Sequence, residues 1–454
     1  MTAPDTIAAL RMATLDLLAA WTPIRSVAGD GNGLRSMALA LSDVLRSELG
    51  ASMVPEGFAL DPPVVHARIE RGAPVTILLY NLYDVMPATR EGWSVDPFRG
   101  EVLEGPSGPR YVARGAENNK GPMAAMLVAL RHLLASGGLN ANIEILLEGQ
   151  EESGSGGLRR YLTAPDTPVR RSVTALFPSF CEYGGGPPRI YCGFKGLVHG
   201  SLSLESGEWG GPMRPCHSSN APWIDNPIWR LSEILASLSG GARGSVVLPG
   251  ALRPLLDTLA ASFDPDAELA FRAARRFSRE GSPRELLEHV LTAAHLNLSS
   301  IASEPGQARG VIPTAALARI DLRLPPGLDV ATEVDRLAQA CAPARLTVED
   351  GYPGCWFAPD APGLAELADS YRNLGAPPQI WPWAIGAAPA YAFSHIADSF
   401  VIGGLGHGGN AHGPDEFVEL AGIDRFIQSL LQWLPAISAR GVAKVSQPTR
   451  NLAS

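Results

Sequence analysis

A strand, a helix and a second strand follow one another between residues 74 and 149, and this order most restricts the fold. The segments PVTILLYNLYDV and ANIEILLEG are short, apolar and rich in Ile, Leu and Val, as buried strands are. Between them, GPMAAMLVALRHLLASGG has helical periodicity, with Asn119 as its predicted cap, Pro122 in its first turn and Gly137 at its end. Strand, helix and strand at this spacing predict an α/β sheet with parallel neighbours.

The pattern changes near residue 197. Alternating strands and two helices then form a compact α+β unit, in the segments LVHGSLSLESG, IWRLSEILASL, AALARIDLRLPPG, VATEVDRLAQACA and ARLTVEDG. The α/β pattern resumes near Cys355 and closes with the helix GIDRFIQSLLQWL. We therefore expect a split α/β domain, residues 1–196 and 354–454, interrupted by a smaller domain, residues 197–353. A chain of 454 residues is long enough for two such cores.

Composition narrows the class of protein. Hydrophobic residues make up 46% of the chain and charged residues 18%, which is typical of a globular protein. The net charge of −9, with no long basic run, argues against nucleic-acid binding. No apolar run is long enough to span a membrane, and the N-terminal segment is typical of an amphipathic helix and not of a signal peptide. The five cysteines form no CxxC pair. A cytoplasmic location is the default expectation.

Four short segments carry polar residues suited to chemistry. They are LYNLYDVMP (79–87), RGAENNKGP (114–122), EGQEESGSGGL (148–158) and GNAHGPDEF (409–417). In the third, two adjacent carboxylates, Glu151 and Glu152, come just after an apolar strand and before a Ser-Gly-rich helix start. The sequence therefore predicts a catalytic loop there. The alternative is ordinary acidic decoration of a helix N-terminus, which the helix dipole favours.

Together with PPRIYCGFKG, NPIWRLSEILASL and RIDLRLPPG, these segments resemble the two-zinc amidohydrolases related to carnosine dipeptidase, carboxypeptidase G and aminoacylase. The resemblance covers nearly the whole chain. It implies a catalytic domain with a mixed, mainly parallel sheet flanked by helices. It also implies an inserted α+β lid domain that often mediates dimerisation, so we expect a homodimer that acts on a small molecule.

The resemblance also implies a metal site from which several ligands have been lost. One zinc position would fall on Leu82, Asn118 and Ser179, where the family has histidine and two acidic residues. The other would fall on Asn118, Glu152 and His412. Leucine offers no lone pair, and an amide oxygen is a weak ligand for a transition metal. We therefore expect no metal or one zinc-like divalent ion.

The remaining family positions are better preserved. Glu151 matches the general base, and Asp84 matches the acid that orients the lost histidine, so both are candidate catalytic residues. Lys120, which follows the bridging position, is a candidate substrate-binding residue. The resemblance further implies that His217 in the lid helps hold the substrate carbonyl and that Arg323 holds a substrate carboxylate. A strand-end surface charge is the alternative for Arg323.

Three hypotheses about function stay open. The first is a divergent enzyme that acts on an amide or amino-acid-like substrate, with Glu151 as acid and base. Acyl transfer, cyclisation, elimination and isomerisation would suit it, because they need proton transfer but no zinc hydroxide. The second is a non-catalytic dimeric binding protein. The third is a hydrolase with relocated metal ligands, for which the candidates are Glu117, Cys181 and Glu182.

Overall fold

The structure is a computed structural model and describes residues 3–182, 187–239, 244–304 and 309–445. The helices of these residues are α1 (Pro4–Trp21), α2 (Gly31–Ser47), α3 (Pro55–Phe58), α4 (Lys120–Ala135), α5 (Gly156–Thr163), α6 (Pro227–Ser239), α7 (Arg253–Ser262), α8 (Pro265–Phe271), α9 (Pro283–Thr292), α10 (Val330–Cys341), α11 (Leu364–Asn373), α12 (Ala390–Phe393) and α13 (Leu420–Val445). Short 3₁₀ helices cover Glu151–Ser153, Ser218–Asn220 and Gly250–Leu252.

The strands of the described residues form five sheets. They are β1 (Ser52–Val54), β2 (Val65–Ile69), β3 (Thr76–Leu82), β4 (Glu101–Gly105), β5 (Gly108–Val112), β6 (Asn142–Glu148), β7 (Thr174–Pro178), β8 (Arg189–Tyr191), β9 (Gly193–Glu205), β10 (Cys216–His217), β11 (His295–Glu304), β12 (Val311–Ile312), β13 (Ala315–Leu324), β14 (Arg345–Tyr352), β15 (Cys355–Trp356), β16 (Gln379–Trp381), β17 (Ala384–Ala387), β18 (Phe400–Gly403), β19 (Gly408–Gly409) and β20 (Phe417–Glu419).

The central sheet has six strands in the order β1-β2-β6-β3-β7-β18. Strand β3 runs parallel to both β6 and β7, and β18 runs parallel to β7, whereas β1 and β2 are antiparallel additions at one edge. Residues 77–82 of β3 are all buried, as expected for a parallel strand covered on both faces. The predicted fold class, a mixed and mainly parallel sheet flanked by helices, is confirmed.

A second sheet forms the predicted lid, with strand order β11-β13-β9-β14. All three pairings are antiparallel, and β9 continues toward the larger domain, where it pairs with β15 and β17. This sheet and helices α6 and α10 enclose their own apolar core, which includes Leu202, Leu231, Ile320 and Leu337. The boundaries near residues 197 and 353 stay a prediction.

One part of the predicted lid segment packs elsewhere. Leu252, Leu256 and Leu259 at α7, and Leu287 and Leu291 on α9, belong to the large apolar core that also contains β3 and β6. The buried Lys195 ammonium donates to the carbonyls of Val290 and Ala293, and the Trp383 indole donates to that of Leu291. The helical excursion between residues 245 and 292 therefore joins the larger domain, although it lies within the lid in sequence.

The predicted cap of helix α4 is wrong in one respect. Asn119 occupies the N-cap position, but its side chain makes no capping hydrogen bond. Its amide instead donates to Asn81 Oδ1 and accepts from Ser179 Oγ. The Asn119 side chain therefore belongs to a long-range polar network, although the local sequence predicts that it caps the helix. Among the described helices, none combines the length and the apolar character that crossing a bilayer requires.

Candidate active site

Two of the four segments, 79–87 and 148–158, lie at the ends of parallel strands, and Ser179 follows a third parallel strand. Strand β3 ends at Leu82, β6 at Glu148 and β7 at Pro178. Because neighbouring parallel strands end at one edge of the sheet, the residues that follow them converge there. Asp84, the pair Glu151–Glu152 and Ser179 are thus brought to the same edge by the sheet itself.

Asp84 fixes the turn that carries the two glutamates. Its fully buried carboxylate accepts the backbone N–H of Glu151 at 3.2 Å and that of Glu152 at 3.0 Å. These two bonds hold the 3₁₀ turn Glu151–Ser153 against the end of β3. Burial is the main cause that raises the pKa of Asp84, to about 7, although the two N–H groups oppose it.

Asn118, Glu152 and His412 meet at one point. The Asn118 amide nitrogen lies 2.9 Å from Glu152 Oε1 and 3.0 Å from His412 Nε2. His412 Nε2 lies 3.1 Å from the same Glu152 oxygen, and this hydrogen bond is the main cause that raises the pKa of His412. His412 has a φ of +65°, a left-handed conformation that is uncommon for a residue with a side chain. The three residues predicted for the second metal position are therefore adjacent.

A buried ion pair, which sequence reasoning missed, holds these loops together. Glu416 Oε1 accepts the backbone N–H groups of Glu117 at 3.0 Å and Asn118 at 2.9 Å. Its Oε2 accepts from Arg114 Nη1 at 2.6 Å, while Arg114 Nη2 donates to the His412 carbonyl at 3.1 Å. Arg114 and Glu416 thereby join the loops of Asn118 and His412. The sequence contains one indication of a role for Glu416, since this residue lies within the AHGPDEF segment that also contains His412.

The positions predicted to match the first metal of the family, Leu82 and Ser179, have a different environment from that of Glu152 and His412. Leu82 is buried, and its backbone N–H donates to Asn81 Oδ1 at 2.9 Å. The Asn81 amide donates to the Pro178 carbonyl at 3.0 Å, and its oxygen accepts from Asn119 at 2.7 Å. Ser179 joins this chain through Asn119. Neutral amides and a hydroxyl therefore occupy this side of the site.

Glu151 is the candidate acid and base. Burial is the largest cause that raises its pKa to about 8, and the neighbouring carboxylates of Glu152 and Asp84 add to the shift. His412 opposes it. A carboxyl with a pKa near 8 exists in both protonation states near neutrality, which suits it to give and take a proton.

The proposed replacement ligands are placed differently. Glu182 is engaged by both oxygens with Arg425, at 2.6 and 2.9 Å, and also accepts the N–H of Gly406. Cys181 is buried, and its backbone N–H donates a hydrogen bond to the Gly404 carbonyl. Glu117 lies near the cluster, where burial and the charge of Glu416 raise its pKa to about 7. The structure thus favours neither Glu182 nor Cys181 as a relocated ligand.

The predicted substrate-binding residues are dispersed. Lys120 is buried, and its ammonium donates to the carbonyls of Trp21 and Ile24, so it anchors α4 to the end of α1. Arg323 lies on lid strand β13, and its Nε donates a hydrogen bond to Asp321 Oδ1 at 3.0 Å. His217 is exposed on β10 and bonds Ser219. The roles of His217 and Arg323 in substrate binding stay predictions, and the contacts of Lys120 do not support one for it.

Acidic residues and a histidine therefore meet beyond the carboxyl ends of parallel strands, where α/β proteins commonly have their active sites. The chain belongs to Peptidase family M20/M25/M40, whose model matches residues 78–435. It is 28% identical to the Beta-Ala-His dipeptidase of Rattus norvegicus over 64% of this chain and 62% of that protein. It is 27% identical to the Cys-Gly metallodipeptidase dug1 of Schizosaccharomyces pombe over 70% of each.

Solved structures agree with this assignment. The M20 family metallo-carboxypeptidase Sso-CP2 from Sulfolobus solfataricus superposes with a TM-score of 0.81 at 25% identity, over 94% of this chain and 99% of the other. Human carnosine dipeptidase 1 superposes with a TM-score of 0.71 at 21% identity, over 96% and 98% of the two chains. The resemblance inferred from the sequence is confirmed.

The side chains of the site fit a pair of zinc ions poorly. Within the described parts of the chain, no group of three His, Cys, Asp or Glu residues is placed to hold a metal ion. Glu152 and His412 are suitable donors, but Asn118 offers only a neutral amide. A catalytic zinc usually needs three good protein ligands. The first metal position, with Leu82 and Ser179, has no strong donor of its own.

Proposed function

We propose that this protein is an M20-family enzyme that acts on an amide or amino-acid-like small molecule, with Glu151 as its acid and base. Its chemistry does not depend on a pair of zinc ions. The supporting observation is geometric: Asp84 holds the Glu151–Glu152 turn by two hydrogen bonds. The proposal also rests on the predicted match of Leu82, Asn118 and Ser179 to the metal-ligand positions of the family.

Proton transfer is the part of the chemistry that the chain's own residues can perform. In acyl transfer or cyclisation, Glu151 takes a proton from the attacking group and returns it to the leaving group. In elimination it takes the proton from carbon and gives it to the leaving group, and in isomerisation it takes the proton from carbon and returns it to carbon, so in each case it ends in the state in which it began. Glu152, His412 and Asn118 hold at most one divalent ion, and they hold it weakly because only two of them are strong donors.

The substrate class follows from the relatives and from the preserved lid residues. The names of two relatives describe dipeptidases, of Beta-Ala-His and of Cys-Gly. Arg323, about one third exposed at the side chain, offers a guanidinium that can bind a carboxylate with two hydrogen bonds. We therefore propose a substrate that carries a free carboxylate next to an amide or amine.

We also propose that the chain forms a homodimer through the lid. Strand β11 pairs only with β13 among the described strands, so its other edge is open. Leu298 and Ile301 on β11 are 47% and 41% exposed, and Trp229 on the neighbouring helix α6 is 73% exposed. Exposed apolar side chains beside an open strand edge are typical of a protein interface.

Substitution of the proposed acid and base tests this function. Turnover of dipeptides, N-acyl amino acids and cyclisable amino-acid amides would be measured by mass spectrometry, with the metal content determined in parallel. We expect Glu151→Gln to lower the rate on the active substrate by about 100-fold or more, because general acid–base catalysis contributes that much. The matched control is Glu91→Gln, at an exposed glutamate outside the site, and it should keep full activity.

Two results would contradict the proposal. If Glu151→Gln turned over the substrate at the wild-type rate, the role of Glu151 would be wrong. If metal-replete protein contained two tightly held zinc ions per chain, the relocated-ligand hydrolase would replace it.

A further inference from the structure

A cavity lies away from the residues of the candidate active site. It has a volume of about 340 Å³ and lies between the helical excursion α7–α9 and the strands β16 and β17. Its walls are mainly apolar and include the rings of Phe263, Phe277 and Trp381. Cavities of this size and character are typical of sites for small organic molecules.

One buried donor at this cavity has no partner among the described residues. Trp381 is 3% exposed, and its indole N–H makes no hydrogen bond there. Its ring contacts the Arg189 guanidinium, 4.9 Å from its centroid, and the edge-on Phe263 ring, 6.4 Å away. Because an indole nitrogen can only donate, any group that reaches this nitrogen must be a hydrogen-bond acceptor.

The charges around the cavity favour an anion. Glu268 accepts from both Arg189 and Arg272, so one carboxylate is shared by two guanidinium groups. Arg272 and Arg279 both line the cavity, together with Glu268. Glu285, which lies near Arg279, is itself held by the N–H and hydroxyl of Ser282. Positive charge is therefore in excess at this cavity of an otherwise acidic protein.

We propose that this cavity is a binding site for a small organic acid with an apolar, preferably aromatic, body. The body packs against Phe263 and Trp381, and the carboxylate meets Arg272 and Arg279 and supplies an acceptor for the Trp381 indole N–H. The site is separate from the one proposed above, because neither Glu151 nor Arg323 lines it. Ile385 of β17 does line it, so a bound acid would also contact the strand that pairs with the start of β9.

Calorimetric titration of the full chain with 3-phenylpropionate tests the proposal. We expect saturable binding of one molecule per chain. Arg279→Gln and Trp381→Phe should each raise the dissociation constant about tenfold, which corresponds to one lost hydrogen bond or ion pair. The neutral 3-phenylpropan-1-ol should bind about tenfold more weakly than the acid, because it lacks the charge.

Two further variants distinguish this cavity from its surroundings. Arg276→Gln removes an exposed arginine three residues before Arg279 that does not line the cavity, and should leave binding unchanged. Arg323→Gln should also leave it unchanged. Arg279 is exposed, so its variant should fold even if Trp381→Phe does not. The proposal is overturned if no saturable heat appears up to about 10 mM 3-phenylpropionate, or if the alcohol binds as tightly as the acid. It is also overturned if Arg323→Gln loses binding while Arg279→Gln binds as the wild type does.

Discussion

Glu148 is a buried carboxyl behind the site that sequence reasoning did not single out. It is 1% exposed at the end of β6, and its Oε1 accepts from the Tyr80 hydroxyl at 2.5 Å and from Ser155 at 2.8 Å. Its Oε2 has no partner among the described residues. Burial is the main cause that raises its pKa to about 8, and the charges of Asp84 and Glu151 raise it further.

Replacement of this residue should change how stability depends on pH. An unfolded glutamate has a pKa near 4.5, so the folded state binds the extra proton between about pH 4.5 and 8. The free energy of unfolding therefore falls as the pH rises through that range. Glu148→Gln cannot ionise, so we expect it to weaken this fall and to stabilise the protein at pH 8.5 by about 1 kcal/mol or more. Urea unfolding at several pH values measures this.

The exposed Glu104→Gln serves as the control and should unfold as the wild type does at every pH. A Glu148→Gln protein that is equally destabilised at pH 5 and at pH 8.5 would show that the carboxyl is not protonated in the folded state. The motif EGQEESGSGGL drew attention to Glu151 and Glu152 because they match catalytic positions. Glu148 was missed because its burial depends on the sheet and not on neighbouring residues.

At the scale of elements, the ends of strands β3 and β7 and the loop before α4 determine which ions the site can hold. Leu82 ends β3, Ser179 follows β7, and the loop before α4 presents Asn118. None of these three side chains carries a negative charge or a soft donor atom. The strand positions themselves follow the family fold, so the limitation lies in the side chains and not in the backbone.

Restoring those three side chains should therefore restore a second metal position. We expect Leu82→His combined with Asn118→Asp and Ser179→Glu to bind about two zinc ions per chain, against none or one in the wild type, because each position regains a strong ligand. Equilibrium dialysis followed by elemental analysis measures this. Leu82→His alone is the matched control and should not add an ion. A triple variant that folds and binds no more zinc than the wild type would contradict the assignment of these positions.

Sequence predicted the elements of the site better than their connections. The end of a parallel strand is a local signal, so the convergence of Asp84, Glu151 and Glu152 could be anticipated. The contact of His412 with Glu152 required the family resemblance. The Arg114–Glu416 ion pair joins residues about 300 positions apart, and no feature of the sequence near either residue predicts that they meet. Asn119 was assigned to a helix cap because the competing partners, Asn81 and Ser179, are distant in sequence.

At the scale of the whole molecule, the lid edge offers a test of assembly. We expect the wild type to sediment as a dimer at about 10 μM and the double variant Leu298→Lys with Ile301→Lys as a monomer, because charges on β11 would repel across a paired edge. Val348→Lys, at a 42% exposed apolar residue on the opposite edge strand β14, is the control and should remain dimeric. A monomeric wild type, or a control that dissociates equally, would contradict the proposed interface.

The path of the chain through α7 and α9 limits how this protein could be recombined with its relatives. The backbone leaves the larger core along β9, returns to it at the helical excursion, enters the lid again at β11 and comes back at β15. A chimera joined only at residues 197 and 353 would transfer six buried leucines of the larger core, Leu248, Leu252, Leu256, Leu259, Leu287 and Leu291, into the relative. Exchange of the lid between homologues needs four junctions, with the stretch from 245 to 292 retained by the recipient.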